Sequence, residues 1–349
     1  MALNQDELRS KYSEEVQELK RQLREKEEYI NNYRGDHGKL EVFFSRVIDE
    51  IRPIEPAQIV FKPKSKPGSQ VTAVMQVSDG HMGAVQVPDE IEGLNEFDPE
   101  ICTLRQMDYT ERFLHWVEMH RQAYQINRLA VLVTGDLISG DIHQELQTTN
   151  AFPAPVQVVR AAEVLAQQIA AISPHFEQVD IHFITEDNHA RLTKKPQAKE
   201  AGLNSFNYLV GYIAQSLVSK HENVNFNLYP MYEKVVHVGG RQYLISHGHG
   251  LVGWMGIPWY SINRHVGKEA TNRMQVIMSD INRARDIGFH KYIFGHWHTP
   301  FDHPLYSCCG SISGTDAYDH KQGRYSPPSQ SSWLVHPKHG EFDRINFML

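Results

Sequence analysis

Five apolar runs in this chain each end in groups that can hold a metal ion or move a proton. "VTAVMQV" (71–77) is followed by Ser78-Asp79-Gly80-His81, "RLAVLV" (128–133) by Thr134-Gly135-Asp136, and "VDIHFI" (179–184) by Thr185-Glu186-Asp187-Asn188-His189. "QYLIS" (242–246) leads into His247-Gly248-His249, and "KYIF" (291–294) into Gly295-His296-Trp297-His298. In extended backbone, residues two apart point the same way, so His296 and His298 can serve one ion or two neighbouring ions. With 20 histidines in the chain, one His-x-His pair could arise from composition alone. Five such endings, each in the same position relative to a strand-like run, are hard to obtain from packing. Carboxylate, imidazole and amide oxygen without thiolate suit Mn²⁺, Fe or Zn²⁺ and disfavour a structural zinc site of the cysteine type. Asp79, His81, Asp136, Asn188, His247, His296 and His298, seven such groups, exceed the needs of one tetrahedral ion. A two-metal centre, with ions about 3.5–4 Å apart bridged by a carboxylate and a hydroxide, uses them all, acidifying a water and clamping a phosphoryl group under attack.

Bringing these groups together requires strands whose carboxyl ends meet at one rim, where ligands bind in open α/β sheets. Helical patterns lie between the runs, at Tyr109–Tyr124, Val156–Ile172, Phe206–Val218 and Met274–Ile287. Strands alternating with helical patterns of about 10–15 residues indicate an α/β architecture of crossover units. Two late runs, "LYSCCGS" (305–311) and "SWLVH" (332–336), have no helical pattern between them and read as added antiparallel strands. Near the N-terminus, Tyr12, Val16, Leu19, Leu23, Ile30 and Tyr33 follow alternating steps of four and three, with Lys26 in the polar slot. That heptad-like seam makes residues 1–50 a helical extension, either a short coiled coil supporting a homo-oligomer or a single solvated helix. The stretch "RPIEPAQIVFKPKSKPGSQ", with prolines at 53, 56, 63 and 67, reads as a linker over 51–70, which leaves 71–349 as the main domain.

Composition narrows the classes. At 349 residues, 41% hydrophobic and 22% charged, the chain is neither disordered nor fibrous. Its formal net charge of −7 argues against coating nucleic acid by bulk electrostatics, so a polyanion would have to be held at a local site. No apolar stretch approaches the roughly 20 residues of a membrane span, and "MALNQDELRS" lacks the apolar core of a signal peptide, so a cytoplasmic location is expected. Cys102, Cys308 and Cys309 suit a reduced compartment and read as core thiols.

Taken in order, Asp79-x-His81, Gly135-Asp136, Asn188-His189, His247 and Gly295-His296-x-His298 resemble the signature of the calcineurin-like metallophosphoesterases over most of the main domain. The resemblance implies that family's α/β fold, two packed β-sheets flanked by helices, here behind an N-terminal helical extension. It further implies that Asp79, His81 and His298 hold one metal, that Asn188, His247 and His296 hold a second, and that Asp136 bridges both. His189 would contact a phosphate oxygen or protonate the leaving group, and Mn²⁺ is the metal expected first, with Fe or Zn²⁺ as alternatives. One position departs from the pattern: the family usually has glycine before Asn-His, where this chain has Asp187. Glycine there permits a left-handed turn, which Asp tolerates better than most residues. A carboxylate at that point either adds a partner behind the ligands or weakens phosphate binding.

Other groups lie near these motifs. His249 and His143 read as surface histidines or as partners behind the ligands, and Asp141 as such a partner or a helix cap. Arg191, Lys194 and Lys195, in "HARLTKK", are either clamps for a phosphate backbone or a solvated face. "GWMGIPWY" (253–260) is either core packing or a lip on which bases stack. "GDLISGDIHQEL" and "GSISGTDAY" look like phage-encoded members of the nuclease branch, which includes the double-strand-break repair enzymes. The leading expectation is therefore a Mn²⁺-dependent phosphodiesterase cutting nucleic acid, DNA in the first instance, with no membrane partner, in a bacterial or phage-infected cytoplasm. A phosphomonoesterase or small-nucleotide phosphodiesterase is the first alternative, and a scaffold with an idle site the second.

Overall fold

The computed structural model describes residues 21, 22, 24, 26, 51–57, 68–253 and 256–349. The chain divides into two units, Met1–Arg52 and Pro53–Leu349. In the first, Arg21, Gln22, Arg24 and Lys26 are helical, while the apolar positions of the heptad-like seam lie outside the described residues, as does 58–67 of the proline-bearing stretch. In the second, Ile54 N–H donates to the Leu217 carbonyl at 2.7 Å.

The second unit is mixed α/β, with two packed sheets flanked by helices, the architecture that the resemblance implies. Sheet one runs β11-β10-β1-β2-β3-β4. Its members are β1 (Gln70–Val77), β2 (Gln125–Val133), β3 (Gln178–Ile184), β4 (Val224–Tyr229), β10 (Ser329–His336) and β11 (Gly340–Met348). Sheet two runs β5-β6-β7-β9-β8, from β5 (Glu233–Val238), β6 (Arg241–Ser246), β7 (Lys291–Phe294), β8 (Phe301–His303) and β9 (Tyr306–Cys308). Val74, Leu132, Tyr243, Ile245, Ile293 and Trp333 fill the space between the sheets. Such burial is worth about 1.5–3 kcal/mol per large apolar side chain.

Four helices cover the sheets: α1 (Pro99–His120), α2 (Ala154–Ile172), α3 (Phe206–Leu217) and α4 (Trp259–Ser279). Helices α1, α2 and α3 are the crossovers that follow β1, β2 and β3. The Tyr109 hydroxyl of α1 donates to sheet one at Gln76 O and Ser331 O, 3.1 and 2.9 Å away. Helix α4 closes sheet two by packing Ile262 and Val266 against Leu244, Tyr292 and Phe294. All three cysteines are buried and unpaired. No helix among the described residues is long and apolar enough to cross a membrane.

The parallel register sets up the site. Val77 pairs with Val133, and Val133 with Phe183, so β1, β2 and β3 stop together. In sheet two, Ile245 pairs with Ile293. The five runs read from sequence are thus β1, β2, β3, β6 and β7, divided between two sheets rather than sharing one rim.

Several boundaries differ from the sequence reading. Helix α1 begins ten residues before Tyr109, because the Asp98 carboxylate caps it by accepting from Ile101 N (2.8 Å) and Pro99 opens it. Helix α4 lies over 259–279, so the reading of 274–287 caught only its last turns and the short helical turns over 281–287 that follow it. Its buried side is at its start, whereas Met274 and Met278, whose apolar character drew the reading C-terminal, are 54% and 82% exposed. Extended backbone at Asp280 then breaks the helix. Strands β4, β5, β8 and β11 escaped notice; edge strand β4 alternates Asn225 and Asn227 with its apolar residues. A short helix, Ala317–Lys321, separates the two late runs, and β9 pairs parallel with β7 while β10 is antiparallel to both neighbours.

One buried group in β3 links the fold to pH. His182 Nδ1 lies 3.0 Å from the Tyr229 hydroxyl, and its Nε2 has no hydrogen-bond partner. Burial pushes its pKa down to about 4. In the unfolded chain the imidazole titrates near 6.5, so between those values the unfolded state binds the extra proton and stability falls as pH falls. In EDTA, His182→Phe should lose less stability than wild type between pH 7 and pH 4.5, by about 2 kcal/mol, measured by denaturant unfolding.

Candidate metal centre

The ends of both sheets are tied together by buried polar groups. Gln76 Nε2, on β1, donates to Phe294 O at the end of β7 (3.0 Å) and to Thr134 Oγ1 after β2 (3.1 Å). Gln330, on β10, accepts from Ser78 N (2.9 Å) and donates to Ser78 O (3.0 Å) and Gly310 O (2.9 Å). The loops bond to one another as well: Asp79 N to Gly135 O, His81 N to Asp136 O, and Gly295 N to His247 O, each 3.0 Å.

Five of the candidate ligands adopt left-handed backbone: Asp79 (φ 53°), His81 (46°), Asp136 (48°), His296 (71°) and His298 (55°). For a non-glycine residue this conformation costs about 1–2 kcal/mol, and its clustering at one place marks a functional site. The neighbouring glycines are required by space. A Cβ on Gly295 would meet Ser78 Oγ at 2.0 Å and Asp79 Oδ2 at 2.4 Å, and one on Gly135 would meet His247 Nδ1 at 2.8 Å.

The side chains converge in two overlapping groups. His81 Nε2 faces His298 Nε2 at 3.1 Å, with Asp79 Oδ1 4.0 and 3.6 Å from those nitrogens. His247 Nε2 lies 2.9 Å from Asp136 Oδ2 and 3.0 Å from Asn188 Oδ1. The potential ligand atoms of Asp79, His81 and His298, of Asp136, His247 and His296, and of His81, Asp136 and His189 each fall within 4.8 Å of one another. Asp136 belongs to two of these sets, which is the placement a bridging carboxylate needs. His189 is close enough to belong to one, although the resemblance gives it a different role.

The donor set fits divalent ions. His247 Nδ1 is 2.8 Å from the Thr134 carbonyl, so that nitrogen carries the proton and the Nε2 lone pair faces two oxygen acceptors. Three acceptors at such distances are reconciled by a cation, either a proton or a metal. Without metal, burial would lower the His247 pKa, but the Asp136 carboxylate overrides this and raises it to about 9. His298 is likewise raised: burial opposes its charge, while Asp319 and Asp79 favour it. His81 and His296 are held well below the usual imidazole value by burial and by the other histidines.

Several groups behind the ligands were not singled out in the sequence. Asp319 Oδ2 lies 3.0 Å from His298 Nδ1, turning Nε2 toward the site, and Arg324 Nη2 holds the other carboxylate oxygen at 2.7 Å. Asp319 sits within the segment "GSISGTDAYDH", but nothing local to it marks a histidine partner. Gln76 was hidden inside a strand-like run, and Gln330 lies just before the run at 332–336.

The remaining candidates are placed as follows. His189 Nδ1 is 2.7 Å from Ser139 O, and its backbone N–H donates to Asp136 Oδ1 at 3.2 Å. The His143 ring lies 6.1 Å from that of His189. Asp141 accepts from Gln147 through its backbone carbonyl (2.7 Å), and the residue before the short helix Leu146–Thr149 is Glu145. His249 packs 5.7 Å from the His247 ring, and burial pushes its pKa down to about 4. Asp187 is buried behind Asp136, whose N–H it accepts at 2.8 Å, and its own backbone is not left-handed. Arg191 is half-buried and lines a small pocket with Glu186, Asp187, Thr193, Asn204 and His249, whereas Lys194 and Lys195 are exposed. Trp259 packs on Phe301, with ring centroids 4.7 Å apart, and Tyr260 is exposed; Trp254 lies outside the described residues.

No protein-family model matches the chain, and no curated protein matches it. Among solved structures, the chain is similar to Vacuolar Protein Sorting 29 from Cryptosporidium parvum, at 14% identity and a TM-score of 0.30, over 80% of this chain and 100% of that one. It is also similar to a conserved uncharacterized protein described as a predicted phosphoesterase from Streptococcus pneumoniae TIGR4, at 12% identity and a TM-score of 0.27, over 80% and 98% of the two chains. Zinc-complexed Vps29 from Entamoeba histolytica is similar at 12% identity and a TM-score of 0.29, over 78% and 98%.

Because His247 and His298 hold protons that a metal must displace, metal uptake should release protons and tighten as pH rises from 6 toward 9. Titration calorimetry with Mn²⁺ in two buffers of different ionisation enthalpy should give two ions per chain and a buffer-dependent heat. A single ion, or heats independent of buffer, would contradict this arrangement.

Proposed function

We propose that this chain is a metal-dependent phosphoesterase with a binuclear centre, and that its substrate is a phosphodiester of nucleic acid, DNA in the first instance. The observation that carries the reading is the meeting of Asp79, His81, Asp136, Asn188, His247, His296 and His298 from five strand ends in one buried place. Asp79, His81 and His298 would hold one divalent ion, Asn188, His247 and His296 the other, and Asp136 both. Such ions, when bound, supply an acidified water and positive charge against the phosphoryl oxygens. Manganese is favoured by a donor set that mixes carboxylate, amide oxygen and imidazole without thiolate, with Fe and Zn²⁺ as alternatives.

The chain's own groups supply orientation and a proton. His189 Nδ1–H donates to Ser139 O, which fixes the ring so that Nε2 is the atom available to substrate. Protonated at Nε2, His189 would deliver that proton to the leaving-group oxygen, a contribution typically of about 10²–10⁴ in rate. Asp136 accepts the His189 backbone N–H, so the ligand and the proton donor are coupled through one carboxylate. Asp136→Ala should abolish metal uptake and turnover together, whereas His189→Ala should lose turnover by about 10²–10⁴-fold and keep its metal content by elemental analysis. Metal loss in the His189 variant would make that histidine a ligand rather than the proton donor.

For a nucleic-acid substrate, the candidate cations are Arg191, Lys194 and Lys195, which follow His189 closely in the sequence. Arg191 lines the pocket behind Asp187, and its Nε has no hydrogen-bond partner. Guanidinium and ammonium groups there would hold backbone phosphates flanking the scissile one. Each phosphate contact contributes a log–log salt slope of about 0.9 on duplex DNA and about 0.7 on single strands. An alanine variant at all three positions should bind DNA more weakly and with a shallower slope. A slope equal to wild type would mark the three as a solvated face, and a wild type that prefers a monoester would replace the nuclease reading with a phosphatase.

A further inference from the structure

We propose that Asp187 is a positioning residue for the metal centre, holding the bridging Asp136 and the Asn188–His189 pair in one rigid turn; the proposal rests on the metallophosphoesterase reading above. Asp187 occupies the position where the resembling family usually has glycine, yet its backbone has no positive φ, so glycine's conformational freedom is not what this turn requires. Its side chain does what a glycine could not. Oδ2 accepts the N–H of Asp136 at 2.8 Å, across from the end of β2. Oδ1 accepts the N–H of Ala190 at 2.8 Å, closing a turn in which Asn188 and His189 are the two enclosed residues. Asn207, at the start of α3 and fully buried, donates its Nδ2 to Oδ2 and anchors the carboxylate from behind.

The three donors come from three separate segments, so one carboxylate connects the end of β2, the loop after β3 and a helix start. What it fixes is specific. The Asp136 N–H it holds belongs to a residue at φ 48°, a conformation that persists only where the surroundings determine it. The turn that it closes sets Asn188 Oδ1 3.0 Å from His247 Nε2, and sets the His189 N–H 3.2 Å from Asp136 Oδ1. Gly135 leaves the room for it: a Cβ there would stand 3.1 Å from Asp187 Cβ. The carboxylate therefore lies in the layer behind the ligands, not among them. Asp187→Asn preserves volume but replaces one acceptor oxygen with an amide donor that must face another N–H, so the clamp cannot close on both sides.

The test compares wild type, Asp187→Asn and Asn207→Ala. The second variant removes the anchor while leaving the carboxylate, and so keeps the test decisive if Asp187→Asn fails to fold. Mn²⁺ titration should show the ion held by Asn188, His247 and His296 weakened by about 10- to 100-fold in Asp187→Asn and by a smaller factor in Asn207→Ala. The ion held by Asp79, His81 and His298 should be affected less, a selectivity that general destabilisation would not produce. In the metal-free protein, amide hydrogen exchange at Asp136 and Ala190 should be slow in wild type and faster in Asp187→Asn. Equal Mn²⁺ affinities in all three, with a wild type that binds two ions, would overturn the clamp alone. A wild type that binds no metal while its Asp136 and Ala190 amides are protected would overturn the phosphoesterase reading, and the positioning role with it.

Discussion

Everything at the candidate centre depends on one constraint: strand ends from two different sheets must reach the same place, with the loops after β1, β2 and β7 turned left-handed there. The parallel pairing of Val77 with Val133 and of Val133 with Phe183 stops three strands at one level. The pairing of Ile245 with Ile293 does the same within the second sheet. A slip of one residue in any pairing would exchange buried for exposed faces and carry a ligand away from the centre. Leu132, Ile245 and Ile293 resist such a slip because their burial between the sheets depends on the same register. Core packing and site geometry are thus two consequences of one alignment.

Left-handed backbone at Asp79, His81, Asp136, His296 and His298 is unfavourable locally, so it must be imposed from outside the loops. The imposing contacts are hydrogen bonds to buried backbone made by Gln76, Gln330 and Asp187, each bridging segments far apart in the chain. In a low-dielectric interior such bonds are strong when every group is satisfied and costly when one is not. This explains why amides and a carboxylate stand where an α/β core would otherwise place aliphatic side chains.

The electrostatic consequence is a set of lone pairs aimed at one another. His247 and His298 each give one nitrogen to a fixed acceptor, Thr134 O and Asp319 respectively, and present the other inward. With two buried aspartates opposite, the arrangement is balanced only by positive charge, supplied by protons in the metal-free protein. Arg324 extends the pattern outward, holding Asp319 while lying over the rings of Trp297 and Tyr318, 5.7 and 5.5 Å from their centroids. Charge and orientation are therefore set in successive layers around the proposed ligands.

The amino-acid sequence by itself determined the candidate ligand types and the five strands that present them, because both are local. An apolar run ending in Asp, Asn or His is visible within ten residues, and so is the crossover spacing that implies α/β layers. Edge strand β4 and the early start of α4 were less legible, since alternating asparagines and exposed methionines weaken the periodic signal. Tertiary structure alone decided that the five strands belong to two sheets. It also decided that Asp319 reaches His298 across 21 residues, that Gln76 meets Phe294 across 218, and that Asp187 turns its carboxylate back onto the Asp136 amide. Those contacts join residues with no local pattern in common. Their partners are chosen by where the packed sheets bring the chain, a property of the whole core rather than of any segment.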